Sequence, residues 1–172
     1  NVYRRNKCYD MSTSSHLYGE NNLIYSNLFS YTHNRYNSNG ELADGKSPQP
    51  WGFDTIPWNN YFSVGNMVVN NTFYDVGNAI VVKDSAASGV VHDNIYANNL
   101  IVNWSEDVAH YPGAFYDHTS ELNYVMNNAV YSATGLTDHF VVDNLIYSAE
   151  EVNNLIGYSG NVSGNPKFLT AD

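Results

Sequence analysis

The amino-acid sequence predicts an all-β solenoid of short stacked strands joined by sharp corners, and three observations predict it. The first is a repeat. Asn66-Met-Val-Val-Asn70-Asn71 returns as Asn94-Ile-Tyr-Ala-Asn98-Asn99 after 28 residues, and as Asn123-Tyr-Val-Met-Asn127-Asn128 after a further 29. A fixed period in this range marks an architecture of stacked units. The second is local chemistry. The runs Ala79-Ile-Val-Val-Lys83 and Leu100-Ile-Val102 are β-branched and bounded by Gly and Asn, which favours strands over helices. The third is composition. About one residue in seven is Asn, 15 are Tyr and only 14% are charged, as a thin aliphatic interior with polar corners requires.

Taken in order, each unit reads as strand, Asn-Asn corner, strand. Thr72-Phe-Tyr-Asp75, Leu100-Ile-Val-Asn103 and Ala129-Val-Tyr-Ser132 all follow the Asn pair. Asn tolerates the left-handed backbone that a sharp corner needs, and its amide can bond the next Asn in a stack. A weaker copy, Leu17-Tyr-Gly-Glu-Asn21-Asn22, lies 49 residues before the first strong one, as if that unit carried an insertion. One unit is expected to hold three strands, 72–75, 79–83 and 90–97, with turns at Gly77-Asn78, 85–89 and Asn98-Asn99. Units stacked at the ordinary strand spacing of about 4.8 Å would form a parallel β-helix.

Over residues 15–168 this pattern resembles the right-handed parallel β-helix proteins of the pectate-lyase-like superfamily, whose corners carry asparagine ladders. Gly164-Asn-Pro-Lys-Phe168 is similar to the Pro-Phe segment that follows the last coil in such proteins. The resemblance implies a secreted protein, extracellular or periplasmic, that meets a polysaccharide or oligosaccharide across the outside of one sheet. The chain is expected to be one domain over 1–172, and a C-terminal portion of a larger protein, or to have its coil ends covered by another chain.

Charge and cysteine narrow the partners. A net charge of −10 with 7 Lys and Arg argues against nucleic acid. The one cysteine, Cys8, excludes an internal disulfide. No apolar run reaches membrane-spanning length. Asn70-Asn-Thr, Asn103-Trp-Ser and Asn161-Val-Ser match the glycosylation sequon, with Asn70 expected to be needed for the ladder.

Two long loops frame the candidate chemistry. The first runs from His33 and Arg35 through Trp51-Gly-Phe-Asp54 to Trp58, and the second from Trp104 through Glu106, Asp107 and His110 towards Tyr116-Asp117-His118. Trp and Tyr stack on sugar rings, while His and carboxylates transfer protons. Aligning 78–84 with 113–119 places Lys83 beside His118 and Val82 beside Asp117, or Asp84 beside Asp117 after a slip of one residue. The expected catalytic set is therefore Asp117, His118, Asp84, Lys83 and Asp54. The expected sugar contacts are His33, Arg35, Trp51, Trp58, Trp104, His110 and Tyr116. His92 reads as structural.

A glycoside hydrolase with paired carboxylates fits this set best. A polysaccharide lyase needs a base and cations around a uronate, and only Arg35, Lys46 and Lys83 lie in the middle of the chain. A non-catalytic tailspike or adhesin solenoid is the third reading. No cofactor is expected, with Ca²⁺ the one ion that a lyase, or Glu106, Asp107 and His110, would call for. Trp51-Gly-Phe-Asp54 is similar to the Tyr-Gly-Phe-Asp start of the alginate C5-epimerase motif, but Thr55-Ile56 replaces the Pro-His that follows it there, so that activity is not carried over.

Overall fold

A computed structural model describes residues 1–9, 15–32, 53–55, 62–84, 90–104, 113–119, 121–132 and 140–164. They form tiers. The first holds β1 (Val2–Arg4), β2 (Lys7–Tyr9), β3 (Ser15–His16) and β4 (Gly19–Glu20). The second holds β5 (Leu23–Tyr25), β6 (Leu28–Thr32), β7 (Phe53–Thr55) and β8 (Ser63–Val64), and the third β9 (Met67–Val69), β10 (Thr72–Val76), β11 (Ile80–Lys83) and β12 (Val91–His92). The fourth holds β13 (Ile95–Ala97), β14 (Leu100–Trp104) and β15 (Phe115–His118). The fifth holds β16 (Tyr124–Met126), β17 (Ala129–Tyr131) and β18 (Phe140–Val142), continuing into β19 (Leu145–Tyr147) and the short helix α1 (Ala149–Val152). Strands β20 (Tyr158–Ser159) and β21 (Val162–Ser163) begin a last tier.

Like strands of successive tiers stack into parallel sheets, in the orders β1-β5-β9-β13-β16-β20, β2-β6-β10-β14-β17-β21 and β19-β18-β15-β11-β7-β3, with a short fourth sheet β12-β8-β4. The antiparallel β18–β19 hairpin is the exception. Its turn is Asp143-Asn144, both at positive φ (50° and 63°), the mirror-image geometry that two-residue hairpins favour.

Alternation along each strand points one row inward. Ile24, Val68, Tyr96, Val125 and Tyr158 form one such row. Phe29, Phe73, Ile101 and Val130 form a second, and Phe53, Ile80, Phe115 and Phe140 a third. All lie in one buried apolar cluster, where Phe29 stacks on Phe73 with ring centres 4.9 Å apart. Fully burying side chains of this size stabilises by about 1.5–3 kcal/mol each.

Two asparagine ladders run along the corners. In the first, Asn1, Asn22, Asn66, Asn94 and Asn123 each bond the next. In the second, Asn6, Asn27, Asn71, Asn99, Asn128 and Asn161 do the same. A typical rung is double: the Asn99 backbone N–H and side-chain Nδ2 both donate to Asn128 Oδ1, each at 3.0 Å. The spare amide proton is also used, since Asn99 Nδ2 donates to the Val68 carbonyl at 2.9 Å. Buried amides cost little when every donor and acceptor is satisfied in this way.

The Asn-Asn pairs divide the work. The first member takes the left-handed backbone (Asn70 φ 56°, Asn98 φ 54°, Asn127 φ 54°) and the second enters the ladder. Asn70 is therefore exposed, and ladder residue Asn71 is buried, correcting the expectation that the Asn70 sequon is structural. The weaker copy is also corrected. Asn22 stacks on Asn66, 44 residues on, and the true repeat is Asn22-Leu-Ile-Tyr-Ser26-Asn27, with Ser26 (φ 55°) at the corner. The single strand expected over 90–97 is broken at Asp93 (φ 55°), because Asn94 turns into the first ladder there.

A short helix packs against the core after β19. Ser148 and Glu151 close a reciprocal capping box at the start of α1, whose Ala149 and Val152 are buried in the core. The Asn153 side chain then completes the second ladder by accepting from Asn161 N–H and Nδ2 at 2.9 and 3.1 Å. Among the described residues no helix is long and apolar enough to cross a membrane.

Candidate functional site

The third sheet carries the expected catalytic residues, and its register decides which of them meet. Val82 pairs with Asp117 and Lys83 with His118, so the register slip that would bring Asp84 to Asp117 does not occur. Phe115 faces the core, hence Asp117 does too, while Tyr116 and His118 face outward. Asp54 pairs with Val81, which in turn pairs with Tyr116, and lies on the outward row. Asp54 and Asp117 thus stand on opposite faces of the sheet and do not form a pair.

Asp117 sits in a built environment. The residue is 5% exposed, and its carboxylate accepts from Tyr158 O–H at 2.7 Å and from Thr119 O–H at 2.8 Å. Burial pushes its pKa up to about 6, against 3.8 for an ordinary aspartate; the two hydroxyl donors pull it down, and the charges of Asp143 and Asp84 push it up. Burial and the neighbouring Asp117 charge push the Tyr158 phenol well above its usual range, so it remains a donor.

A cavity of about 320 Å³ opens beside this group. Asp117, Thr119, Glu121, Asp143 and Tyr158 give it polar walls, and Leu122, Val142 and Ile156 give it apolar ones. Asp143 is 68% exposed and lies 3.4 Å from His118 Nδ1, so it joins the cavity rim to the outer face of the sheet. One carboxyl is held protonated up to mildly acidic pH and others stand at a wetter rim, which is the division of labour that acid–base cleavage needs.

The outward row carries a second pairing. His16 Nδ1 lies 2.8 Å from Asp54 Oδ1; Asp54 is fully buried, whereas the imidazole is 38% exposed and stacks on Tyr18. Its hydrogen bond to Asp54 raises the His16 pKa, against a smaller opposing effect of burial. Beyond it the row continues through Val81, Tyr116 and Val141, all buried.

The other expected residues divide. Asp84 accepts from the Val91 N–H at 3.0 Å. Lys83 is half-buried at the end of β11. Tyr116 is buried and donates to Asn144 Oδ1 at 3.2 Å. Trp104 is 3% exposed within the core cluster, so it packs the interior instead of offering a ring to sugar. His92 lies 2.8 Å from Asp93 Oδ2 at the corner. His33, Arg35, Trp51, Trp58, Glu106, Asp107 and His110 lie outside the described residues.

Sequence reasoning missed His16, Asp143, Glu121 and Tyr158. Asp143-Asn144 between two apolar triplets was the one available signal, since it reads as a hairpin turn. Among the described residues no group of three or more His, Cys, Asp or Glu is placed to hold a metal ion. Comparison with protein-family models, with curated proteins and with solved structures finds no match.

Proposed function

We propose that the chain is a right-handed parallel β-helix of the carbohydrate-active kind, acting outside the cytoplasm, and that it hydrolyses a glycosidic bond at the Asp117 cavity. The stacked parallel sheets and the two ladders support the architecture. The single observation that carries the activity is the buried Asp117 carboxyl, its pKa raised to about 6, on the wall of a cavity shared with Asp143 and Glu121.

In this mechanism protonated Asp117 gives its proton to the leaving glycosidic oxygen as the C–O bond breaks. An ionised carboxylate at the rim, Asp143 or Glu121, takes a proton from the attacking water, whose oxygen forms the new bond to the sugar carbon. Tyr158 and Thr119 hold the Asp117 carboxyl in place before transfer and stabilise its anion afterwards.

The test is a survey of neutral and acidic polysaccharides with the wild-type chain and Asp117→Asn, reading new reducing ends. The expected result is release by the wild type that falls roughly 10²–10⁴-fold in the variant. Full activity in Asp117→Asn would contradict the assignment. The His16–Asp54 pairing on the outer face favours a second reading, a lyase that abstracts a proton beside a uronate. It would release unsaturated, ultraviolet-absorbing ends and depend on His16 instead of Asp117.

A further inference from the structure

The outer face of the first sheet is apolar over four consecutive tiers. The parallel register of β5, β9, β13 and β16 sets two outward rows, Leu23, Met67, Ile95, Tyr124 and Tyr25, Val69, Ala97, Met126. None of these side chains is charged, in a chain of net charge −10, and Met67 and Tyr124 are 40% and 37% exposed. Single exposed apolar side chains are ordinary, whereas a contiguous patch marks a contact surface. Along one border runs the corner column Ser26, Asn70, Asn98 and Asn127, each following directly on the second row. All four are exposed, and their side chains make no hydrogen bond among the described residues.

We propose that this face is a binding platform for a neutral, extended polysaccharide chain lying along the stack and leading to the Asp117 cavity; the choice of a sugar rests on the glycan cleavage proposed above. The face suits other partners poorly. Strands β5, β9, β13 and β16 each pair on both sides, so none offers a free edge for peptide binding by strand addition. Three tier spacings of about 4.8 Å and a strand of three residues cover roughly 15 by 10 Å, far below the ~800 Å² that each partner of a stable dimer buries. What fits is thin, uncharged and amphipathic. A pyranose ring has apolar C–H faces and hydroxyl edges. Its faces lie on the two rows, and its hydroxyls bond the unpaired amides of Asn70, Asn98 and Asn127. An apolar lining with a few orienting polar groups is the usual make-up of a small-molecule site.

The stacking gives the platform a period. Each tier offers two apolar side chains and one polar corner residue, about 4.8 Å from those of the tier before. A polymer of identical sugars that advances by a similar length per ring meets equivalent partners along its length. The platform is also continuous with the cavity. Leu122 is exposed and lies on the cavity wall, and it leads through Asn123 into Tyr124. A chain laid over Ile95 and Tyr124 therefore extends past Leu122 to Asp117, so the platform holds the distal sugars while one bond lies at the cavity.

The test measures binding of neutral β-linked hexasaccharides of glucose, xylose, mannose and N-acetylglucosamine to the full chain carrying Asp117→Asn. Saturable binding of at least one is expected, unchanged by added salt because neither row is charged. Met67→Ser with Asn98→Gly should weaken it at least about tenfold. Both replace exposed side chains, and Gly accepts the left-handed backbone at Asn98, so the unfolding midpoint should hold. No saturable binding, binding indifferent to the two substitutions, or salt-sensitive preference for a hexauronate would overturn the platform. Self-association of the chain that Met67→Ser abolishes would assign the face to a second copy and overturn it too. The two proposals fail separately. Binding as expected, with no reducing ends released by the wild type, sinks the hydrolysis alone; release of reducing ends without platform binding sinks the platform alone.

Discussion

Tyr158 donates its phenolic O–H to Asp117 Oδ2 at 2.7 Å, tying the last tier of the first sheet to a carboxyl on the third. The bond spans the interior, and its acceptor is the group on which the proposed chemistry turns. Asp117 is thus both a structural tie and a carboxyl whose pKa burial raises, which makes its protonation visible in stability as well as in rate.

The stability of the chain should fall as pH rises from about 4 to about 6. Folded Asp117 titrates near about 6 and unfolded aspartate near 3.8, so the folded state holds the proton longer. Its contribution is fully present below the unfolded value and is lost as pH climbs through the folded one, in total about 3 kcal/mol. Urea unfolding across this window should show the slope in the wild type, and Asp117→Asn should flatten it.

Replacing Asn99 by leucine should destabilise by about 1–3 kcal/mol, because it strands a buried ladder on both sides. Asn71 loses the Oδ1 that accepts its N–H and Nδ2, Asn128 Oδ1 loses one of its two donors, and the Val68 carbonyl loses its donor. The change in denaturation midpoint measures this. An unaltered midpoint would mean that these groups find other partners.

Gly157 stands at φ 89°, and a Cβ there would run into the carbonyl of Asn123 and approach Leu122 Cδ1 to 2.8 Å. Gly157→Ala should therefore cost about 1–3 kcal/mol through strain alone. The same clash sits beside the Asp117 cavity, which Leu122, Asn123 and Tyr158 help to line, so any activity should fall with it. Melting temperature and reducing-end release on one preparation check both.

The His16 imidazole should titrate above the ordinary histidine value of 6.5, because its hydrogen bond to Asp54 favours the cation. Its pairing therefore stabilises the fold at low pH, and that contribution is lost as pH rises through the raised value. Following the ring protons by NMR should show the midpoint fall in Asp54→Asn.

The repeat itself was readable because its strongest constraint is chemical. A buried ladder accepts almost nothing but asparagine, so Asn66, Asn94 and Asn123 stand out in the sequence. The corner position is more permissive, and Ser26 serves where the motif has Asn70, Asn98 or Asn127, which hid the Asn22–Asn27 unit. The Val82–Asp117 register was readable from the aligned strands. Which residues complete the Asp117 site was not, since Tyr158 meets it across 41 residues through the stacking of tiers and carries no local mark. Trp104 misled for the opposite reason. An aromatic next to a long loop reads as a sugar platform, yet strand alternation turns it into the core.

The central claim is that the Asp117 proton is the one transferred to the substrate, and the alkaline limb of the pH–rate profile tests it most directly. The wild type should lose activity as pH rises through about 6. Tyr158→Phe removes a donor that lowers the Asp117 pKa, so its limb should move to higher pH while the acid limb stays in place. Superimposable profiles, or a limb that moves to lower pH in Tyr158→Phe, would contradict the account.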